Sequence, residues 1–238
     1  MVVLVANDHD VKTIVIKKSI EESEAMEIIE QKKTDPFKSI LSRPKKEDIH
    51  IDSLELFYEG SLIVSGKYNA NYFRKAVHTI DVDSNVHEVV LGDGFFPVRS
   101  KSGLEKAFVG KRGKNKIDLS LEEHVFVEGE DELTFDHHGL ETDLPFKIDS
   151  KNIENYPGKI LEENKGNVKK PEIPYESAIE NLKVHLKKPL EENVRDLKDE
   201  FTLHDITEVY VPIFEARLSD PKKKVEIIRI DAVRKKIL

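Results

Sequence analysis

An internal echo constrains this chain most. Ile80-Asp81-Val82-Asp83 with Val89-Val90 returns near the C-terminus as Ile228-Arg229-Ile230-Asp231 with Ile237-Leu238, and in each copy the last aspartate precedes the apolar pair by six positions. Each copy follows an aromatic-rich strand pattern and, further upstream, a helical one. The echo predicts an α+β protein of two helix-on-antiparallel-sheet units with a β-rich insertion between them. Asp83 and Asp231 are expected to serve each its own copy by accepting turn amides at a strand end, which argues against a catalytic carboxylate pair.

Local patterns fill in this frame. Met1 to Ala6 and Val11 to Ile16 are β-branched runs around the turn-forming Asn7-Asp8-His9-Asp10, an expected hairpin. Ser19 and Glu22 have capping-box spacing, Ala25, Met26 and Ile29 form an apolar stripe, and Lys32, Lys33 and Pro36 close it, so a helix is expected over 20–33. From Ile49 the period becomes two, through Leu54, Leu56 and Tyr58. Gly60-Ser61 and Asn69-Ala70-Asn71 then read as turns of an antiparallel meander that extends to Val82. Tyr58, Tyr68, Tyr72 and Phe73 fit core or cross-strand positions better than a base-stacking platform. Tyr175, Ala178, Ile179, Leu182 and Leu186 mark a second helix. After Pro189, Leu190, Val194, Leu197 and Phe201 resume at helical spacing, and Val209 to Leu218 and Lys224 to Ile230 are strands.

These patterns divide the chain into an N-terminal α+β unit (1–100), a charge-polarised β-rich segment (101–151), a linker (152–174) with Pro157, Pro171 and Pro174, and a C-terminal α+β unit (175–238). The polarisation is steep. Residues 101–116 carry six Lys or Arg against one Glu, and residues 118–149 carry eleven Asp or Glu against one Lys.

Composition excludes several chemistries. The chain has no cysteine, hence no disulfide, thiolate nucleophile or Cys-based zinc site. No run approaches the roughly 18–20 apolar residues that span a bilayer, so a soluble, cytoplasmic protein with no membrane partner is expected. A net charge of -8 argues against a surface wrapped in nucleic acid. The 35% charged fraction, dominated by Lys and Glu, favours ion-pair networks of the kind enriched in hyperthermophilic proteins. No Gly-rich phosphate loop, Ser-centred elbow or zinc-protease helix motif is present.

Three resemblances bear on function. Residues 209–238, with Tyr210, Phe214, the turn near Asp220 and Ile230-Asp231-Ala232, resemble the strand-turn-strand end of PepSY-like and cystatin-like units, which implies an interaction role. Arg234-Lys235 stands where that pattern carries a glycine turn. Asp136-His137-His138 after Leu133-Thr134-Phe135 resembles the metal motif of DHH phosphoesterases, with Asp81 and Asp83 in the place of upstream paired aspartates. That resemblance implies a divalent metal that activates water. The family's parallel strand-helix surroundings and downstream glycine-rich His motif are missing, and a turn closed by Gly139 is the stronger reading. The whole chain is similar to uncharacterised proteins of hyperthermophilic archaea, which carries over no site residue.

The function this supports is non-enzymatic protein binding or assembly, through a protein partner or self-association. It requires no cofactor. The alternative is a metal-dependent hydrolase centred on Asp136, His137 and His138, with His124 and Asp143 completing the ligand set. A second alternative is nucleic-acid binding through Lys111, Arg112, Lys114 and Lys116, whose charge could release counterions from phosphates. Pairing of that basic loop with the acidic segment after it is the stronger reading.

Overall fold

A computed structural model describes residues 10–38, 44–98, 115–187 and 194–238. Its strands are β1 Val11–Val15, β2 His50–Val82, β3 Glu88–Leu91, β4 Gly94–Pro97, β5 Asn115–Phe135, β6 Glu141–Thr142, β7 Val168–Lys169, β8 Arg195–Ser219, β9 Val225–Asp231 and β10 Lys236–Ile237. Its α-helices are α1 Glu22–Lys32, α2 Pro157–Glu163 and α3 Tyr175–Leu186. Among the described residues the main sheet runs β10-β9-β8-β2-β5-β6, with β1 added parallel to β8 and β7 parallel to β2. The chain is α+β and mostly sheet, and no described helix is long and apolar enough to cross a membrane. The first strand of the expected opening hairpin lies outside the described residues.

Chain contacts define two compact units that interleave along the sequence. Unit 1 comprises Met1–Lys67, Glu130–Leu186 and Thr202–Leu238, and unit 2 comprises Tyr68–Gly129 and Lys187–Phe201.

In unit 1 both sheet faces are covered, and the register shows how. Ile14 pairs with Val209 and Val15 with Tyr210, and successive strand residues face opposite sides. Val15, Tyr58 and Tyr210 therefore take one face, where Ile160 and Leu161 of α2 cover them. Ile14, Ile16 and Val209 take the other, beneath Phe146, Ile148 and Ile153. A third cluster packs Ala25 and Ile29 of α1 onto Phe214, Ala216, Ile228 and Ile230. Each fully buried Ile or Leu contributes about 1.5–3 kcal/mol.

Several local expectations are corrected. The α1 helix forms as expected, but Ser19 does not cap it; the hydroxyl donates to the Ala232 and Val233 carbonyls at 2.9 and 2.7 Å. The expected meander over 49–82 is a single strand, β2. Gly60 sits inside it because a Cβ there would lie 2.8 Å from Pro171 Cδ and 2.9 Å from Tyr210 Cε1, a close approach that only glycine allows. The expected helix after Pro189 is strand from Arg195 onward. Within the expected linker, α2 packs on the core and β7 pairs with Tyr58 and Glu59 of β2.

The two copies of the echo part after the aspartate. Asp83 Oδ1 accepts the Asn85 amide at 2.9 Å, and Asp231 Oδ1 accepts those of Val233 and Arg234 at 2.8 and 2.9 Å. In the second copy Ile237 then pairs back onto Ile230. In the first, Val89 and Val90 enter a separate hairpin, β3–β4.

Candidate functional site

The Asp-His-His sequence forms the tight turn after β5. The Asp136 carbonyl accepts the Gly139 amide at 3.0 Å, and Gly139 holds a φ of +80° that other residues rarely adopt. One carboxylate oxygen of Asp136 accepts the amides of His138 and Leu140 at 3.0 and 2.9 Å. The side chain is thus used to close the turn. The His137 and His138 rings lie against each other, tilted by 40° with centroids 3.8 Å apart.

His137 joins a charged cluster on β2, β7, β8 and β9. Glu59, with only 12% of its side chain exposed, binds Lys169 Nζ at 3.0 Å and the Arg229 guanidinium, and His137 Nδ1 lies 3.7 Å from its other oxygen. Arg229 also reaches Glu215 at 3.4 Å, while Lys169 sits over the Phe57 ring. Burial pushes the Glu59 carboxyl up, but the hydrogen bonds from Lys169 and Arg229 outweigh it and hold the group below the usual carboxylate range. Burial holds the His137 imidazole below its usual value, opposed by the nearby Glu59 charge. Two carboxylates face one lysine and one arginine, so the cluster is close to balanced and ties four strands together.

The remaining predicted metal ligands have other surroundings. Asp143 lines a cavity in unit 1 beside Glu141 and Leu144. His124 belongs to unit 2, where its Nε2 lies 2.5 Å from Asn71 Oδ1 and its ring stacks on Phe73 at 4.5 Å. Among the described residues, no group of three or more His, Cys, Asp or Glu side chains is placed to hold a metal ion. Of the predicted nucleic-acid contacts, Lys116 lies in β5, and Lys111, Arg112 and Lys114 lie outside the described residues.

Unit 2 carries the feature that sequence reasoning missed. Among its described residues only Tyr68, Ala70, Tyr72 and Ile117 are buried hydrophobics, whereas Val77, Val90, Leu91, Phe95, Phe126 and Leu197 are exposed. Phe95 is 68% exposed and Phe126 64%. Val90 pairs with Phe95 across the β3–β4 hairpin, so their side chains stand together on one side of the ribbon. Gly92, at φ +57°, makes its turn. A signal was available: Val89-Val90-Leu91 and Phe95-Phe96 put apolar residues on both faces of a two-stranded ribbon, and so do not alternate as a half-buried strand would. The same unit also carries charged pairs on β2, β5 and β8. Glu123 binds Arg74 at 2.8 Å and His78 at 2.5 Å, and Arg195 binds Glu122 at 3.0 Å.

In comparisons with known proteins, no family model, no curated protein and no solved structure matches this chain.

Proposed function

We propose that the chain is a non-enzymatic protein-binding or assembly module whose contact surface is carried by unit 2. The observation behind this reading is the hairpin β3–β4, a two-stranded sheet of its own with Val90, Leu91 and Phe95 more than half exposed. An isolated two-stranded hairpin is marginally stable in water, and contiguous exposed apolar side chains mark interaction sites. A protein surface that covers Val90 and Phe95 would remove both costs. The charged groups around Glu122 and Glu123 would serve as a polar rim that sets orientation.

The test is affinity capture of the tagged full chain from nuclease-treated extract of its own cells, beside a variant carrying Val90→Asp and Phe95→Asp. Light scattering on both purified proteins accompanies it. A partner or a higher oligomer present in the wild type and lost in the variant is the expected result. Identical retained proteins and a monomeric mass for both would overturn the reading.

A further inference from the structure

Strand β5 has β2 as its neighbour on one side. On the other side, among the described residues, Val98 meets Ile117 through an antiparallel bridge and β6 meets Thr134 and Phe135, also antiparallel. Between those contacts the outer edge of β5 has no strand partner among the described residues, and its unit 2 part runs from Asp118 to Gly129. At about 3.4 Å per residue that stretch is roughly 40 Å long.

The register shows which groups this edge offers. The Asp136 amide donates to the Leu140 carbonyl at 2.9 Å, and Thr134 stands opposite Thr142. Even-numbered residues therefore turn their N–H and C=O groups to the β6 side, and alternation carries this back along the strand. Ser120, Glu122, His124, Phe126 and Glu128 present main-chain donors and acceptors outward, while the odd-numbered residues turn theirs to β2. The side chains alternate too: those five are exposed, and Leu119, Leu121, Val125 and Val127 between them are half-buried. Natural edges are commonly blunted by lysine or proline, and Asp118 to Gly129 contains neither.

Charge selects the strand that this edge can accept. From Asp118 to Gly129 the chain has four Asp or Glu and no Lys or Arg. The arginines that bind Glu123 and Glu122 come from β2 and β8, on the inner side of the sheet. A second copy of β5 laid along the edge would set carboxylates against carboxylates, which disfavours self-pairing. A basic strand has the opposite balance.

We propose that the unit 2 edge of β5 binds an extended segment of a partner protein by strand addition. The segment runs antiparallel to β5, with Lys or Arg opposite Glu122 and Glu128 and Val, Ile or Leu opposite Leu121, Val125 and Val127. Its main chain supplies affinity and its alternation supplies specificity. This rests on the reading of unit 2 as a protein-binding unit, and adds to the β3–β4 surface a second site built from backbone groups.

The experiment is a fluorescence-anisotropy titration of the full chain against a labelled, capped ten-residue peptide of alternating lysine and valine. The same peptide N-methylated through its central residues keeps every charge and lacks the main-chain donors there. Saturable binding of the first is expected, with the methylated peptide weaker by about tenfold or more. Proline is tolerated on an edge strand where its missing N–H faces outward. Phe126→Pro therefore keeps the ladder to β2, which its melting temperature checks, and should weaken binding at least several-fold more than Phe126→Ala. Should Phe126→Pro fold poorly, the methylated peptide tests the same bonds from the partner's side. Equal binding of the two peptides would overturn the proposal by reducing it to attraction between charges. So would no binding up to millimolar peptide, or a peptide-free dimer in light scattering that Phe126→Pro dissociates, since a second copy would then occupy the edge. Capture with Val90→Asp and Phe95→Asp reads the hairpin alone, so the two readings fail separately.

Discussion

The two units differ in how they use the same kind of residue. Twenty-six of the thirty buried hydrophobic side chains among the described residues belong to unit 1 and four to unit 2, while unit 2 holds six of the thirteen large exposed ones. Unit 1 places apolar side chains on both faces of its sheet and covers each. Unit 2 spends them on strands whose outer positions face solvent. Stability is therefore concentrated in unit 1, whereas unit 2 exposes more large apolar side chains (six) than it buries hydrophobic ones (four) among the described residues.

That contrast breaks most visibly by cavity formation. Leu218 is fully buried against the α1 cluster, so Leu218→Ala should destabilise unit 1 by about 2–5 kcal/mol in denaturant unfolding. Ala at Val77, which is 66% exposed, should stay within about 0.5 kcal/mol of wild type. Gly60→Ala forces a methyl against Pro171 and Tyr210 and should cost about 1–3 kcal/mol by overpacking. Glu59→Ala leaves Lys169 and Arg229 without their shared acceptor and should cost a similar amount, about 1–3 kcal/mol.

Acidification sharpens the comparison. The folded values of both His137 and Glu59 lie below their ordinary values of 6.5 and 4.5. The unfolded chain therefore takes up these protons first, and stability must fall as pH falls. The His137 contribution is present above about pH 6.5 and declines below it. The Glu59 contribution is present above about pH 4.5 and declines as pH drops through its folded value. Melting temperature against pH should show both steps, with His137→Gln removing the upper one and Glu59→Gln the lower. The smallest expected effect is that of Phe95→Asp, which should leave stability within about 0.5 kcal/mol while it abolishes association.

The sequence made the α1 and α3 helices legible because Ala25, Met26 and Ile29, and Ala178, Ile179, Leu182 and Leu186, combine steps of three and four, which one face of a helix satisfies and a strand's period of two does not. It misled at Leu197 and Phe201, since a spacing of four fits both a helical turn and two strand repeats. Gly60 and the Asn69-Ala70-Asn71 trio read as turns because their residue types favour turns. The alternation of Tyr58, Gly60, Leu62, Val64, Gly66, Tyr68, Ala70 and Tyr72 passes through them without a break, and their burial alternates accordingly. The Asp136 turn was readable from Gly139. The Glu59 cluster was not, because Glu59, Lys169, Glu215 and Arg229 are brought together only by strand pairing between residues far apart in sequence.

Hydrogen exchange measured on the dilute purified chain, and again on the chain within its captured or oligomeric complex, tests the division of labour most directly. Slow exchange in β9 and in the Thr202–Ser219 part of β8, which belong to unit 1, is predicted in both states, with new protection in the complex confined to residues 88–97 and neighbouring strands of unit 2. Protection that appears instead on unit 1, with the β3–β4 hairpin unchanged, would contradict it.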